Sequence, residues 1–566
     1  MEFTIPTSLP TSNSARVPSY EVPEHILPVR IHSTLGNVTS PEYLCSESIQ
    51  TDISKHCVLS SSLPSDEAAS IILDFGVAVA GIPVVQIYSI SGSSQPCTVD
   101  LSFSENYSGI LGPNGDGPFP FSPGADTTRR VRLRISCPGY HEARQVQGSQ
   151  RWMKITLVSP RPSSITLSLA GFRPTTSNLP LDRLPGWFEC SDKTLSQLWL
   201  YGARTLQLNC IPERTIPPPW QISEDMGVLI DSQRSNTYAW GGAWTDYEVE
   251  FQGMIIQDGL AWTCRVVSTR PGLLLQLNLD EDGSVTIELW YGYYNKPQVT
   301  LVPTLLDSQK ISDLNLVKKK WYTIKTVCVG VEFISVYVDG VQVATFEQGK
   351  IIKQDGTSID IPTLPRGSAG LGAGQDQVCR FKNFTVTEIP SGSVLYSSGL
   401  NNPAVLGDFS LGWNQLPFIF DGAKRDRFAW TADIITGGPA LYYSTSGTKY
   451  IRGNIEAALL RTEPDEEGNS LLPGGVTAGR NFERQKIDTG IRIMTVNYSL
   501  YLIMVIYDYW MYTGDNEFIA KYWRQIQGCF GYIEKLVNVN GLVEAYGVDG
   551  MRARNKSTQR CANICS

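Results

Sequence analysis

The apolar residues of this chain keep two different periods, and the changes between them constrain the fold more than any other feature. From about Ala68 to Thr175, short apolar bursts are separated by Gly, Ser and Pro. Examples are Ile71-Ile72-Leu73-Asp74-Phe75, Val84-Val85-Gln86-Ile87-Tyr88 and Met153-Lys154-Ile155-Thr156-Leu157. A period of two sends alternate side chains to opposite faces of a strand, so an antiparallel β-sandwich is expected here. At Ser191-Asp192 the period lengthens. A capping residue precedes Leu195, Leu198, Trp199, Gly202 and Leu206, spaced to line one helix face, and the Pro-rich stretch Ile216 to Trp220 closes that helix.

Period two returns from about Trp240 to Ile389. Asp246-Tyr247-Glu248-Val249-Glu250-Phe251 alternates, and Asp339-Gly340 marks a hairpin after Ile334 to Val338. This stretch resembles a concanavalin-type sandwich of the laminin-G kind. Gly370, Gly372 and Gly374 have the wrong spacing for a nucleotide loop and are expected in a turn between strands. Beyond about Pro403 the helical period takes over, with Ile519, Tyr522, Trp523, Ile526, Phe530 and Ile533 on one face. Two helix–turn–helix units recur, with turns at Tyr443 to Gly447 and Tyr512 to Asp515, as in an α/α barrel or solenoid.

A chain of 566 residues exceeds one hydrophobic core, so a multidomain β and α protein is expected. Residues 1–67 form an N-terminal extension, and 68–178 an antiparallel β-sandwich. Residues 179–238 are a linker and the first barrel helix, and 239–392 an inserted concanavalin-like β-sandwich. Residues 393–566 continue the helical domain as a partial (α/α)6 barrel.

Composition narrows the function classes. Apolar content of 42% with 18% charged residues describes a globular protein rather than a disordered or fibrous one. A formal charge of -8 argues against a nucleic-acid partner. The run Tyr498 to Tyr512 is too short for a bilayer and carries Asp508, so it reads as a buried helix. Met1 to Arg16 is rich in Ser, Thr and Pro and lacks the plan of a signal peptide, which taken literally keeps the chain in the cytosol. Asn37, Asn106 and Asn383 nevertheless begin sequons. The twelve cysteines are scattered without a Cys-x-x-Cys pair, and Cys561 and Cys565 lack nearby ligands, so buried thiols rather than a zinc site are expected.

All four histidines, His25, His32, His56 and His141, fall in the first quarter of the chain. Later domains must therefore work without imidazole, which excludes a Ser-His-Asp triad or a His-ligated metal there. Carboxylates are the natural alternative. They concentrate in Asp421-Gly422-Ala423-Lys424-Arg425-Asp426-Arg427-Phe428-Ala429-Trp430-Thr431-Ala432-Asp433, where three acids and three cations end near an aromatic. By composition this is a solvated charge cluster at a helix start. It is also the mixture that sugar hydrolysis uses: one acid protonates the glycosidic oxygen, and neighbours grip hydroxyls. An aromatic face packs on the ring. On this reading the arginines hold Asp421 and Asp433 ionised, while mutual repulsion raises the pKa of the acid that keeps its proton.

The run resembles the hallmark of glycoside hydrolase family 78, the inverting α-L-rhamnosidases. In that family an Asp lies five residues before the acid, with Arg immediately after it, Trp at the fourth place and Asp at the seventh. Asp421, Asp426, Arg427, Trp430 and Asp433 hold those places. The resemblance implies that Asp426 is the general acid and that Asp421, Arg425, Arg427, Trp430 and Asp433 bind a rhamnose-like sugar. It extends to Trp187-Phe188-Glu189-Cys190-Ser191-Asp192, similar to the family's entry into its (α/α)6 barrel, and to the preceding sandwich. It implies a rhamnose-containing glycoside or polysaccharide as partner, no cofactor, no metal, and common secretion.

Three departures are present. The acid position usually carries Glu, and Ala432 replaces a Gly. A (α/α)6 barrel has twelve helices, whereas about five are legible from Ser191 onward. The chain is thus expected to stop before the barrel and its late catalytic base, with Arg552 to Ser566 polar and aperiodic. Neither Glu544 nor Asp549 is assigned as that base. The alternative is a non-catalytic carbohydrate-binding protein or an inactive truncated homologue.

Overall fold

The computed structural model describes residues 24–45, 55–62, 67–92, 96–118, 128–160, 162–232, 235–267, 272–292, 304–353, 356–462, 464–476, 495–545 and 559–560. Asp549, Cys561 and Cys565 lie outside them. The chain is mostly β-sheet, in several sheets, with a few helices.

The first β-unit has nine antiparallel strands: β1 (Arg30–Leu35), β2 (Asn37–Thr39), β3 (Cys57–Ser61), β4 (Ser70–Gly92), β5 (Cys97–Ser104), β6 (Arg130–Ile135), β7 (Gly139–Glu142), β8 (Gln147–Leu157) and β9 (Ser163–Pro174). The start of β4 pairs with β1 and β8, and its end with β9 and β7. Register breaks between Asp74 and Gly81 let this one long strand bend from one set of partners to the other. Ile71, Leu73, Val85, Leu101, Phe103, Met153 and Phe172 fill the interior. The expected extension 1–67 is corrected by β1, β2 and β3, which belong to this sheet. Their brevity hid them from a search for alternation.

The second β-unit runs from Gln221 to Ser398 as an eight-stranded and a six-stranded antiparallel sheet face to face. Phe251, Trp262, Phe346, Phe381 and Phe384 lie between them, and the Trp262 indole donates across the gap to Thr326 Oγ1 at 2.8 Å. Gly370 and Gly372 lie within the strand Ser368–Gly372, not in a turn. They are needed because a Cβ on Gly370 would stand 2.3 Å from the Asn236 carbonyl oxygen. This unit leaves and rejoins the helical region through a clasp. Cys210–Ile211 pairs with Phe418–Ile419, and Asn414 accepts the amides of Thr215 and Ile216 while donating to the carbonyls of Pro212 and Leu416.

Five longer helices follow the same logic: α1 (Lys193–Asn209), α2 (Ile434–Ser444), α3 (Thr448–Leu459), α4 (Val496–Thr513) and α5 (Asn516–Glu534). Asp192 caps α1 by accepting the Thr194 amide, and α2–α3 and α4–α5 form the two expected hairpins. The inner face of α1 differs from the expected one. Ser196, Leu200, Ala203, Leu206 and Gln207 are buried, whereas Leu195 and Leu198 face solvent. Polar residues decide this: Arg204 donates to the Ala78 carbonyl, and Gln207 to that of Leu179. Helix α4 is buried only on the side of Leu502, Val505, Ile506 and Tyr509, with Met504, Tyr507 and Met511 exposed. In α5, Phe518, Tyr522, Ile526, Cys529 and Ile533 turn inward, and Trp523 and Phe530 outward. Among the described residues no helix is long and apolar enough to cross a membrane.

The glycine strand yields a test. Gly370→Ala forces a methyl group against main chain that has no room to give, and is expected to cost about 1–3 kcal/mol. Urea unfolding followed by tryptophan fluorescence reads this as a lower midpoint; an unchanged midpoint would contradict the close packing of this strand.

Candidate active site

The site begins where the clasp ends. Phe420 donates its amide to the Asn209 carbonyl at 2.9 Å, which sets the following loop against the end of α1. Asp421 then closes the loop on itself. Its Oδ2 accepts the Asp426 amide at 3.2 Å and its Oδ1 the Phe428 amide at 3.0 Å, while its own amide donates to the Phe428 carbonyl at 3.1 Å. Phe428 is fully buried, and Ala429–Trp430 pairs with Gly475–Val476. A side chain at Gly475 would strike the Phe428 ring at 2.2 Å, so only glycine lets these segments meet. Thr431 secures the junction by donating both its amide and its hydroxyl to the Gly474 carbonyl.

The loop brings Asp421, Asp426 and Asp433 into electrostatic reach of one another. Burial is the main cause of the rise in each carboxyl's pKa. Asp421 is pushed up to about 6: burial and the charges of Asp426 and Asp433 outweigh the two amides it accepts. Asp426 is raised by burial against the opposing pull of Arg425 and a hydrogen bond from the Trp430 indole. Asp433 is raised by burial and by Asp426. It occupies the N-cap position of α2 without a capping bond from its side chain.

One expectation is corrected. The arginines do not hold Asp421 and Asp433 ionised. Arg425 pairs with Asp426 at 3.1 Å and is 54% exposed, so its charge is largely screened. Arg427 is buried and donates to the Val146 carbonyl at 2.6 Å, which directs it to the first β-unit. Glu544, one of the late carboxylates, accepts a bond from Asn538 at 2.7 Å.

A further aromatic belongs to the site. Tyr498, in the first turn of α4, lies 5.5 Å from the Trp430 ring. Burial and the charges of Asp433 and Asp421 push its phenol up, so it faces the same carboxylates. Helical periodicity counted Tyr498 as part of an apolar run. The signal was the Thr495 cap, which places Tyr498 in the partly buried first turn, with Tyr501 following it. Protonatable acids, an indole and a phenol thus converge on one loop, a set able to donate a proton and to hold a polyhydroxylated ring.

No family model matches the chain, and no curated protein matches it. Among solved structures it is similar to a rhamnosidase from Klebsiella oxytoca with rhamnose bound, at 11% identity and a TM-score of 0.41. That match covers 93% of this chain and 59% of the rhamnosidase, so the chain spans less than two thirds of its length. The carbohydrate binding module CBM66 from Bacillus subtilis matches at 15% identity, over 30% of this chain and 89% of that one, with a TM-score of 0.20. The galectin LEC-6 from Caenorhabditis elegans matches at 14% identity, over 29% of this chain and 96% of that one, with a TM-score of 0.17.

The raised Asp421 pKa sets a pH dependence. The folded chain holds this proton up to about pH 6, whereas an unfolded Asp releases it near about 3.9. Its contribution to stability is therefore fully present below about pH 4 and is lost as pH rises through 6. Asp421→Asn removes the titration while keeping one acceptor oxygen. Thermal midpoints of wild type and variant are expected to converge or cross between pH 4 and 6, the wild type losing ground as pH rises. A difference independent of pH would show that Asp421 titrates normally.

Proposed function

We propose that this chain is an inverting glycoside hydrolase acting on terminal α-L-rhamnosides, with Asp426 as the general acid. The observation that carries the reading is the convergence on one loop of a buried Asp426, its pKa raised by burial, with two further raised carboxyls and the Trp430 indole. The spacing of Asp421, Asp426, Arg427, Trp430 and Asp433 supports the choice of sugar by its resemblance to family 78.

In this mechanism Asp426 gives its proton to the glycosidic oxygen as the bond to the anomeric carbon breaks. Water adds from the opposite face and passes its proton to a second carboxylate, which in inverting enzymes stands about 6.5–9.5 Å from the acid. Asp421 spends both oxygens on main-chain amides and the resemblance gives Asp433 to the sugar's hydroxyls, so on this reading the base is supplied by another segment. Trp430 and Tyr498 border the ring, and Asp433 and Arg425 hold its hydroxyls. Arg427 is withdrawn from this role by its bond to Val146.

The test pairs 4-nitrophenyl α-L-rhamnopyranoside with an alkyl α-L-rhamnoside, on wild type and Asp426→Asn. An alkoxide leaves poorly without a proton, so the variant is expected to lose about 10²–10⁴-fold on the alkyl glycoside. The loss on the nitrophenyl glycoside, whose anion leaves readily, is expected to be smaller. Equal losses would remove Asp426 from the acid role. Wild type that binds L-rhamnose in calorimetry yet cleaves neither substrate would replace the hydrolase reading with a carbohydrate-binding one.

A further inference from the structure

Three residues flanking Asp426 rest on two neighbouring segments of the first β-unit, one holding Glu105 and Asp116 and the other Val146 and Gly148. The Ala423 carbonyl lies so close to Gly148 that a Cβ there would stand 1.6 Å from its oxygen. Lys424 Nζ reaches Asp116 Oδ2 at 2.8 Å and Glu105 Oε2 at 3.2 Å. Arg427 donates to the Val146 carbonyl. The seat beneath them is itself anchored. Asp116 pairs with Arg129 at 2.8 Å, and the Arg129 guanidinium, 2% exposed, also donates to Gln147 Oε1 and to the carbonyls of Gly148 and Ser149. The side-chain bonds that hold Asp426 from both sides thus span 281 to 319 residues in sequence.

We infer that Lys424 is a positioning residue, locking the Asp426 loop onto the Asp116–Arg129 pair so that the first β-unit sets the acid's place. The inference rests on the hydrolase reading above. Lys424 touches no reacting atom; its ammonium spans the gap between two carboxylates on the seat and a main chain two residues from the acid. A misplacement on the order of 1 Å costs about a hundredfold in rate. A slack loop also admits water to Asp426, which removes the burial that raises its pKa.

Lys424→Met and Lys424→Arg are compared with wild type on the alkyl rhamnoside, with thermal midpoints confirming that each is folded. Lys424→Met is expected to lower kcat about ten- to a hundredfold with KM within about twofold. The alkaline limb of its pH–rate profile is expected to move to lower pH as Asp426 becomes hydrated. Lys424→Arg, which keeps the charge on the seat, is expected to restore most of kcat and the position of the limb. Gly148→Ala is a second probe: it displaces the Ala423 carbonyl without touching the ion pair and is expected to act like Lys424→Met. An active wild type with Lys424→Met at unchanged kcat and an unmoved limb overturns the positioning role alone. So does a loss that Lys424→Arg fails to recover. Wild type without turnover overturns the hydrolase reading and this inference with it.

Discussion

A guanidinium sealed inside a β-sandwich is costly unless every donor finds a partner, and Arg129 supplies the constraint around which the site is built. Its charge is met by Asp116, and its remaining donors by Gln147 and two main-chain carbonyls at Gly148 and Ser149. For those carbonyls to point inward, the start of β8 must leave regular strand geometry. Ser149 has φ 52, and the pairing of β4 with β8 is broken in the same region. The outer side of this irregular stretch is where the Asp426 loop lies, with Gly148 under Ala423 and Val146 accepting Arg427. Satisfying one buried charge thus shapes the surface on which the Asp421–Asp433 loop rests.

The two β-units meet through a different use of charge. Strand β6 is the edge of its sheet, and Arg130, Arg132 and Arg134 alternate along it on one face. Arg130 joins Asp100 to Asp376, Arg132 grips Asp100, and Arg134 reaches Asp258, which also receives Lys318. Cations on an edge strand discourage pairing with foreign strands. Here they are also neutralised by carboxylates of the second β-unit, at side chains that are mostly shielded from water. Such a network contributes less to stability than to selecting one docking arrangement, because each pair recovers through attraction what it loses in hydration.

What was legible in the sequence follows from range. Strands with strict alternation, the Asp192 cap, the Asp339-Gly340 hairpin and the two helical hairpins depend on neighbours in the chain, and local pattern exposes them. The acid loop was legible because its residues are contiguous. Its electrostatics were not. Arg427 is drawn away by a carbonyl 281 residues distant, and Tyr498 arrives from another helix. Helix α1 was assigned the wrong inner face because hydrophobic spacing gives no weight to Arg204 and Gln207, whose bonds to carbonyls of the first β-unit decide its rotation. Helix α4 is apolar on both sides, so periodicity could not say which side the core would take. The short strands β1 to β3 carry too few alternations to register.

The three carboxyls of the loop are chemically alike, yet their surroundings separate their tasks. Asp421 has each oxygen engaged by a main-chain amide, and those bonds fold the loop that contains the acid. Moving it would unmake the site, so it is best placed as an anchor whose charge also burdens its neighbours. Asp433 begins α2 but leaves its capping bond unmade, which keeps its oxygens available to a ligand. Asp426 is held by softer contacts, an indole and the solvent-facing Arg425. Arg425 is half exposed and supplies the main charge favouring ionisation of Asp426. One loop thus holds a carboxyl fixed by main chain, one at a helix start and one balanced against a cation, and burial raises the pKa of all three.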